Sequence, residues 1–245
     1  MEKIFITGAT SGIGEELARR FHCEGKQVII SGRSEKRLRE ISSECPGMGY
    51  VLLDLSNHRE IESVSRFLMA EHSDLDTLIN NAGIQKKISF EGSSLPSSEQ
   101  LTEEIQTNFL GCVQLISALL PLLRRQNKAK IINISSGLAL VPLASAPLYC
   151  ASKAALHSFT MSLRHQLRNT SVQVTELLPP LVQTNLHRGQ NTPLPEAMPL
   201  DQFMDCVMKE LKKDDEEILI GPVKSLKHAS RILPKRIFKL MNSRA

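Results

Sequence analysis

Two side chains four residues apart, Tyr149 and Lys153 in "LYCASKAAL" (Leu148 to Leu156), could move a proton. Residues i and i+4 share a helix face, so an ammonium can sit beside a phenol there. Both groups ordinarily titrate near about 10, too high for acid–base work at neutral pH. The positive charge of Lys153 is expected to favour phenolate and draw the Tyr149 pKa down, and a donor tuned toward the operating pH is a better acid. Taken alone, such a pair is more often a half-buried aromatic with a solvated neighbour. What decides is the framework that positions it.

Short β-rich runs alternate with helical patterns along the chain. "KIFIT" (Lys3–Thr7), "QVIISG", "YVLLDL", "DTLINN", "KIINIS", "VQVTELL" and "EILIG" (Glu217–Gly221) read as strands. Gly12 to Glu24, "SEKRLREISSE" with Ser34 as its N-cap, Asn57 to Glu71, about Glu99 to Arg125, and Leu148 to Leu167 read as helices. This alternation predicts an α/β fold, a doubly wound parallel sheet of about seven strands with helices on both faces and right-handed crossovers. At 245 residues and 41% hydrophobic, one such domain can bury a sizeable core. Residues 1–221 form that domain; Pro179 to Pro199, with five prolines, reads as a lid at about 180–200, and 222–245 as a tail.

The net charge of +4 is unevenly placed, because residues 223–245 hold seven Lys or Arg and no acid, leaving −3 on the rest. That argues against a nucleic-acid-binding body, and no helix-turn-helix or zinc pattern is present. In the tail Leu226, Ala229, Ile232, Leu233, Ile237, Leu240 and Met241 recur among the basic residues. Two readings stand side by side: an interfacial amphipathic helix making peripheral membrane contact, interrupted by Pro234, or a segment packed on the body or a neighbouring subunit. The five cysteines are scattered, odd in number and without metal-like spacing, so reduced thiols and no metal are expected. No basic-then-apolar leader opens the chain, and Phe109 to Leu123 is too short to span a bilayer; a cytoplasmic, at most membrane-associated, protein is expected.

"TGATSGIG" (Thr7–Gly14) joins the first strand to the first helix. Gly8 can make the tight turn, and Gly12 and Gly14 let the backbone approach a bulky anion at a helix N-terminus, where free N–H groups and the helix dipole favour a pyrophosphate. A glycine triplet is weak evidence by itself and strong in this position. A dinucleotide-binding strand usually ends in an acid that takes the ribose 2′-hydroxyl. Here Gly32 stands at that point and Arg33 follows. With no acid to repel a 2′-phosphate and a guanidinium to grip it, NADP(H) is expected over NAD(H).

These residues resemble the short-chain dehydrogenase/reductase superfamily over nearly the whole chain. The resemblance is carried by "TGATSGIG", Asp54 after the third strand, "NNAG" (Asn80–Gly83), Asn108 in "TNFLG", "ISS" (Ile134–Ser136), and Tyr149 with Lys153. A narrower similarity, in "NNAGIQK", "LRHQLRNTSVQV" and "LLPPLVQT", is to DltE-type oxidoreductases. The resemblance implies strand order 3-2-1-4-5-6-7, a nicotinamide dinucleotide, and a homodimer or homotetramer. It implies a catalytic tetrad of Tyr149, Lys153, Ser136 and Asn108, the family's thirteen-residue spacing selecting Ser136 over Ser135. The implied cofactor contacts are Gly8, Thr10, Ser11, Gly12, Ile13 and Gly14; Arg33; Asp54, on the adenine amino group, and Leu55; Asn81, Ala82 and Gly83; Tyr149 and Lys153, the lysine on the ribose hydroxyls; and Pro179, Val182 and Thr184. Asn80 would steady the central strand. Where the family has Pro-Gly, this chain has Pro179-Pro180, which stiffens the backbone and removes a donor.

In that setting the pair has a task. A carbonyl accepting hydride develops negative charge on oxygen; Tyr149 would supply the proton, Ser136 would polarise the oxygen, and the Asn108 carbonyl would hold a water linking Lys153 to solvent. His157 and His165 read as structural, and Gln85, Lys86 and Lys87 as substrate-facing or solvated. "GLALVPLASAP" (Gly137–Pro147) would line the pocket and is almost wholly apolar, so the small-molecule partner is expected to be an apolar carbonyl or secondary alcohol. The alternative is a sensor module that keeps the fold and reads bound cofactor as a signal.

Overall fold

The computed structural model of the protein describes residues 2–91, 95–187 and 197–243. Its centre is a parallel sheet in the order β3-β2-β1-β4-β5-β6-β7, the order the resemblance implies. The strands are β1 (Lys3–Ile6), β2 (Gln27–Gly32), β3 (Gly49–Leu52), β4 (Thr77–Asn80), β5 (Ala129–Ile134), β6 (Val172–Leu178) and β7 (Glu217–Leu219). The helices are α1 (Gly12–Cys23), α2 (Glu35–Glu44), α3 (His58–Glu71), α4 (Ser98–Ile105), α5 (Gly111–Leu123), α6 (Pro147–Leu167), α7 (Leu200–Leu211), α8 (Val223–Ile232) and α9 (Pro234–Asn242).

Side chains alternate across a strand, so each strand feeds two cores. Ile4 and Ile6 join Leu17, Leu38 and Phe203 under α1, α2 and α7. Phe5 joins Leu68, Leu115, Leu119 and Leu163 under α3, α5 and α6. Strands buried on both faces explain the near-continuous apolar runs in the sequence. Helix starts follow local chemistry. Ser34 accepts from the Arg37 amide, Asn57 from Arg59, and Ser97 with Gln100 closes a capping box. Pro147 occupies the first turn of α6. β3 stops at Leu52, short of "YVLLDL", and Asp54 Oδ1 accepts from both the Ser56 amide and hydroxyl, turning the chain.

The long helix expected from Glu99 to Arg125 is α4 and α5 joined by a π-turn, Gln106–Leu110. As a continuous unit, Ser98–Leu123 is long and apolar enough to cross a membrane by length and composition, contrary to the shorter span read from Phe109. Its apolar face is instead occupied: Leu115, Ile116, Leu119, Leu122 and Leu123 are buried in the core. The Gly111 Cα comes so close to the Leu55 carbonyl that a Cβ there would lie 2.1 Å from its oxygen. A proline-started turn separates α8 from α9, as Pro234 predicts. Val223 is buried, Lys227 pairs with Glu217, and Asn242 bonds the Pro142 carbonyl at 3.1 Å and the Ala144 amide at 2.6 Å. The tail thus packs beside Gly137–Ala144, while Ile232, Leu233, Phe238 and Leu240 stay exposed.

Candidate active site

Ligands of open α/β sheets bind beyond the carboxyl ends of the strands, and the sequence-predicted residues gather there. The glycine loop is shaped from the β4 side. Thr7 Oγ1 accepts from the Asn81 and Ala82 amides, both at 3.1 Å, and Asn81 Nδ2 donates to the Thr7 and Gly8 carbonyls at 2.9 and 3.0 Å. Asn81 therefore holds the loop with its side chain. Gly8 has φ +66°, and a Cβ there would fall 2.5 Å from the Ala82 Cα; both the backbone angle and the close approach require glycine. Ser11 caps α1 without a side-chain bond, so the first-turn amides face outward. A Cβ on Gly12 would lie 3.3 Å from the Thr184 Cβ, so the segment after β6 packs on the glycine loop beside the N-terminus of α1, whose free amides suit a diphosphate. Ile13 leans on the core and Gly14 is buried.

At the end of β2, Thr10 packs so closely on Gly32 that a Cβ would meet its Cγ2 at 2.6 Å. An acid at this point would require the Thr10 side chain to move aside. Arg33 is exposed and makes no ion pair among the described residues. Asp54 is half-buried with Oδ1 committed to Ser56, and Leu55 is buried in the core. After β6, the Pro179 carbonyl accepts from the Gly137 amide at 2.9 Å, so the unusual second proline leaves that anchor intact. Val182 bridges Met198; the bonds run through Leu181 O and Gln183 N, and the Val182 amide stays out of them. Thr184 Oγ1 accepts from Leu186. The central part of the expected lid, residues 188–196, lies outside the described residues.

The four tetrad residues converge. Tyr149 and Lys153 lie on one face of α6, with Nζ 5.9 Å from the ring centroid, 5% and 3% exposed. Nζ donates to the Ile134 carbonyl at 2.8 Å. Ser136 sits just past β5, faces the phenol and accepts from the Leu138 amide. Asn108 lies in the π-turn, a distortion common at functional sites. Its Oδ1 accepts from the Ile84 amide at 2.8 Å; its Nδ2 donates to the Ile84 carbonyl at 2.9 Å and to Ser152 Oγ at 3.0 Å. Ser152 in turn donates to the Tyr149 carbonyl at 2.7 Å. A Cβ on Gly83 would lie 3.5 Å from both Asn108 Oδ1 and Lys153 Nζ, so the "NNAG" backbone runs directly beneath the pair.

Among the protein's own groups, burial sets the electrostatics; the expected lowering of the Tyr149 pKa relies also on an oxidised nicotinamide. Burial pushes the Tyr149 phenol up to about 12, against the opposing bond from Ser136. Burial pushes Lys153 down to about 8. Counting charges along a helix anticipates attraction between ammonium and phenolate; it omits the desolvation that both groups suffer together, which here is the larger effect. The residues themselves hold the phenol firmly protonated, the form a proton donor needs.

Several buried polar residues escape the motifs. Glu104, fully buried on α4, accepts from the Lys86 amide at 2.6 Å; its other oxygen has no partner among the described residues, and burial raises its pKa. It stands four before Asn108, on the helix that delivers it, which is the signal a sequence reader could have used. Asn80 and Asn133 bond each other at 2.9 Å across β4 and β5, and Asn133 continues to Thr160. Ser135 and His157 both bond Glu176 on β6. Lys86 pairs with Glu103 and Lys87 is exposed.

The family model described as short chain dehydrogenase matches residues 2–194. The chain is 39% identical to "Uncharacterized oxidoreductase DltE" of Bacillus subtilis (strain 168), over 98% of this chain and 96% of that protein. It is 38% identical to "NADP-dependent 3-hydroxy acid dehydrogenase YdfG" of Shigella flexneri over 73% and 72% of the two chains. A short-chain dehydrogenase from Burkholderia cenocepacia J2315, solved in complex with NADP, has the same fold, with a TM-score of 0.83, 24% identity, and 98% and 99% of the two chains covered.

Proposed function

The chain belongs to the short-chain dehydrogenase family of NAD(P)-dependent oxidoreductases, and on that footing we propose that it is an NADP(H)-dependent reductase or dehydrogenase acting on an apolar carbonyl or secondary alcohol. The observation that carries this reading is the convergence of Tyr149, Lys153, Ser136 and Asn108 beside the glycine cradle. The bound cofactor supplies or accepts the hydride. Tyr149 gives the developing alkoxide its proton, Ser136 Oγ orients and polarises the substrate oxygen, and Lys153 holds positive charge beside the phenol and binds the ribose hydroxyls. Asn108 fixes the Ile84 backbone and, through Ser152, the first turn of α6 that presents Tyr149. Gly8, Ser11, Gly12 and Thr184 would hold the diphosphate, Asp54 the adenine, and the Val182 amide the carboxamide.

The apolar substrate class is supported by the surroundings of Tyr149, which packs with Ala146 and Cys150 against Leu138, Leu143 and Leu186. With NADPH, aliphatic ketones or aldehydes are expected to turn over with kcat/KM at least about tenfold above carboxylate-bearing analogues of equal length, since burying an unpaired carboxylate among apolar side chains costs more than the roughly 1.4 kcal/mol of a tenfold change. Preference for small charged carbonyls sinks the substrate class. Cofactor binding without turnover on any carbonyl or alcohol favours the sensor instead.

The tail supports peripheral contact with an anionic membrane. Ile232, Leu233 and Leu240 are exposed among Arg231, Lys235, Arg236 and Lys239, and the segment carries no acid. A truncation before Val223 would strip core packing, so substitution is the cleaner probe. The full chain is expected to sediment with vesicles containing phosphatidylserine, and I232S/L233S/L240S to stay in the supernatant with its thermal midpoint unchanged. Equal partitioning of both proteins removes the membrane reading.

A further inference from the structure

β6 carries a carboxylate where its pattern calls for an apolar residue. Val172, Val174 and Glu176 point to one face by strand alternation. The two valines enter the core with Leu163 and Leu167, and Glu176 is wholly buried beside them. An isolated carboxylate in such a place is costly unless hydrogen-bonded and charge-balanced. Glu176 has both. Ser135 Oγ donates to Oε1, and His157 Nδ1 lies 2.8 Å from Oε2. His157 stands one turn after Lys153 on the same face of α6, and its imidazole is held above its ordinary range by the bond to Glu176.

The partners of Glu176 are interleaved with the catalytic residues. Ile134, Ser135 and Ser136 are consecutive. The first gives its carbonyl to Lys153 Nζ, the second its hydroxyl to Glu176, and the third faces the Tyr149 phenol. We infer that Glu176 is a positioning residue for the catalytic centre: a buried anion, clamped by Ser135 and His157, that keeps the Lys153 ammonium charged and sets the end of β5 from which Ser136 projects. The inference rests on the proposed role of Lys153. The groups facing this network are Lys153, His157 and Arg164 from α6, Asn133 and Ser135 from β5, Cys112 from α5, Glu217 from β7 and Lys227 from α8. Of these, Lys227 is paired with Glu217 and Arg164 bonds the Val174 carbonyl. The buried Cys112 thiol is driven up to about 12 and stays neutral at working pH. Glu176 is thus the buried anion left to oppose the desolvation of Lys153, whose pKa it raises.

The sign follows directly. Removing the anion lets burial act unopposed, so the Lys153 amine loses its proton at lower pH. The test uses Glu176→Gln, which keeps shape and removes charge, in protein carrying 15Nζ-lysine, with the Lys153 signal assigned by its loss in Lys153→Met. The Lys153 titration midpoint is expected to fall by roughly one pH unit, a tenfold change in proton affinity. The alkaline limb of kcat for carbonyl reduction should move down with it. Ser135→Ala keeps the charge and should leave the midpoint within about 0.3 unit of wild type. If Glu176→Gln does not fold, Glu176→Asp serves; it draws the carboxylate back and should lower the midpoint by a smaller amount. A purely structural Glu176 would lower thermal stability in these variants and leave the Lys153 midpoint where it is, and that result overturns the inference. Because the amine titration needs neither cofactor nor substrate, it decides the role of Glu176 even if no carbonyl is turned over.

Discussion

Tyr149→Phe is expected to lower kcat for carbonyl reduction by about two to four orders of magnitude while changing NADPH affinity by no more than about tenfold, the worth of one hydrogen bond. The substitution is isosteric except for the hydroxyl. The ring is 5% exposed and rests on Ala146, Cys150, Leu138, Leu143 and Leu186, contacts that phenylalanine keeps, so folding should be unaffected. What disappears is the proton donor. Its pKa, driven up to about 12 by burial, leaves it fully protonated through the neutral range, and the developing alkoxide has no other hydroxyl so placed except Ser136. Ser136 still polarises the oxygen, and the bound geometry survives; that is why the loss stops short of abolishing turnover. Single-turnover rates of NADPH oxidation, with cofactor affinity measured separately by fluorescence, give the two numbers. A kcat within tenfold of wild type would remove Tyr149 from the reaction and leave the proton to another group.

The parts of this site legible in the sequence are those fixed by local chemistry. Element identity follows from the alternation of apolar runs with helical spacing, whereas the strand order is implied only by the family resemblance. The N-caps at Ser34 and Asn57 and the break at Pro234 follow from side-chain hydrogen bonding and from proline's missing donor. The glycine loop could be read because the steric demand at Gly8 is local: a positive φ and the adjacent β4 backbone. The residues that were not legible act through tertiary burial. Glu104 and Glu176 look like ordinary acids in a helix and a strand, and only the packed structure shows both as fully buried. Asn81 belongs to a readable motif, yet its role in tying β4 to the glycine loop depends on where two strands end in space. The burial of Tyr149 is hidden in the same way. Spacing reports which charges are neighbours; it is silent on how much water each has lost, and water loss outweighs the neighbouring charge here. The helix read over about Glu99 to Arg125 is present, and only its interruption at Gln106–Leu110 is invisible, because a π-turn has no simple sequence periodicity.

Arg33→Ala is expected to raise the KM for NADPH by about ten- to a hundredfold and to leave that for NADH within about twofold, so the two cofactors become nearly equivalent. The reason begins one residue earlier. Thr10 from the glycine loop lies so close to Gly32 that any side chain there would collide with it. An acid that would bond a 2′-hydroxyl and repel a 2′-phosphate is absent from the sequence, and the packing of Thr10 works against one. The end of β2 is bordered by Arg33, exposed and without an ion-pair partner among the described residues, and by the N-terminus of α2. A guanidinium is planar, always charged and able to bind a phosphate through two parallel N–H groups. Nothing in the NADH ribose offers it comparable charge, so the effect should be confined to the phosphorylated cofactor. Arg33→Lys should recover part of the affinity, since it restores charge without the fork, and Arg33→Glu should weaken NADPH further and spare NADH. Because the site is exposed, the NADPH advantage of the wild type should shrink as salt rises from about 0.05 to 0.5 M. A parallel loss for both cofactors would assign Arg33 to loop structure, and no change for either would make it an ordinary solvated arginine.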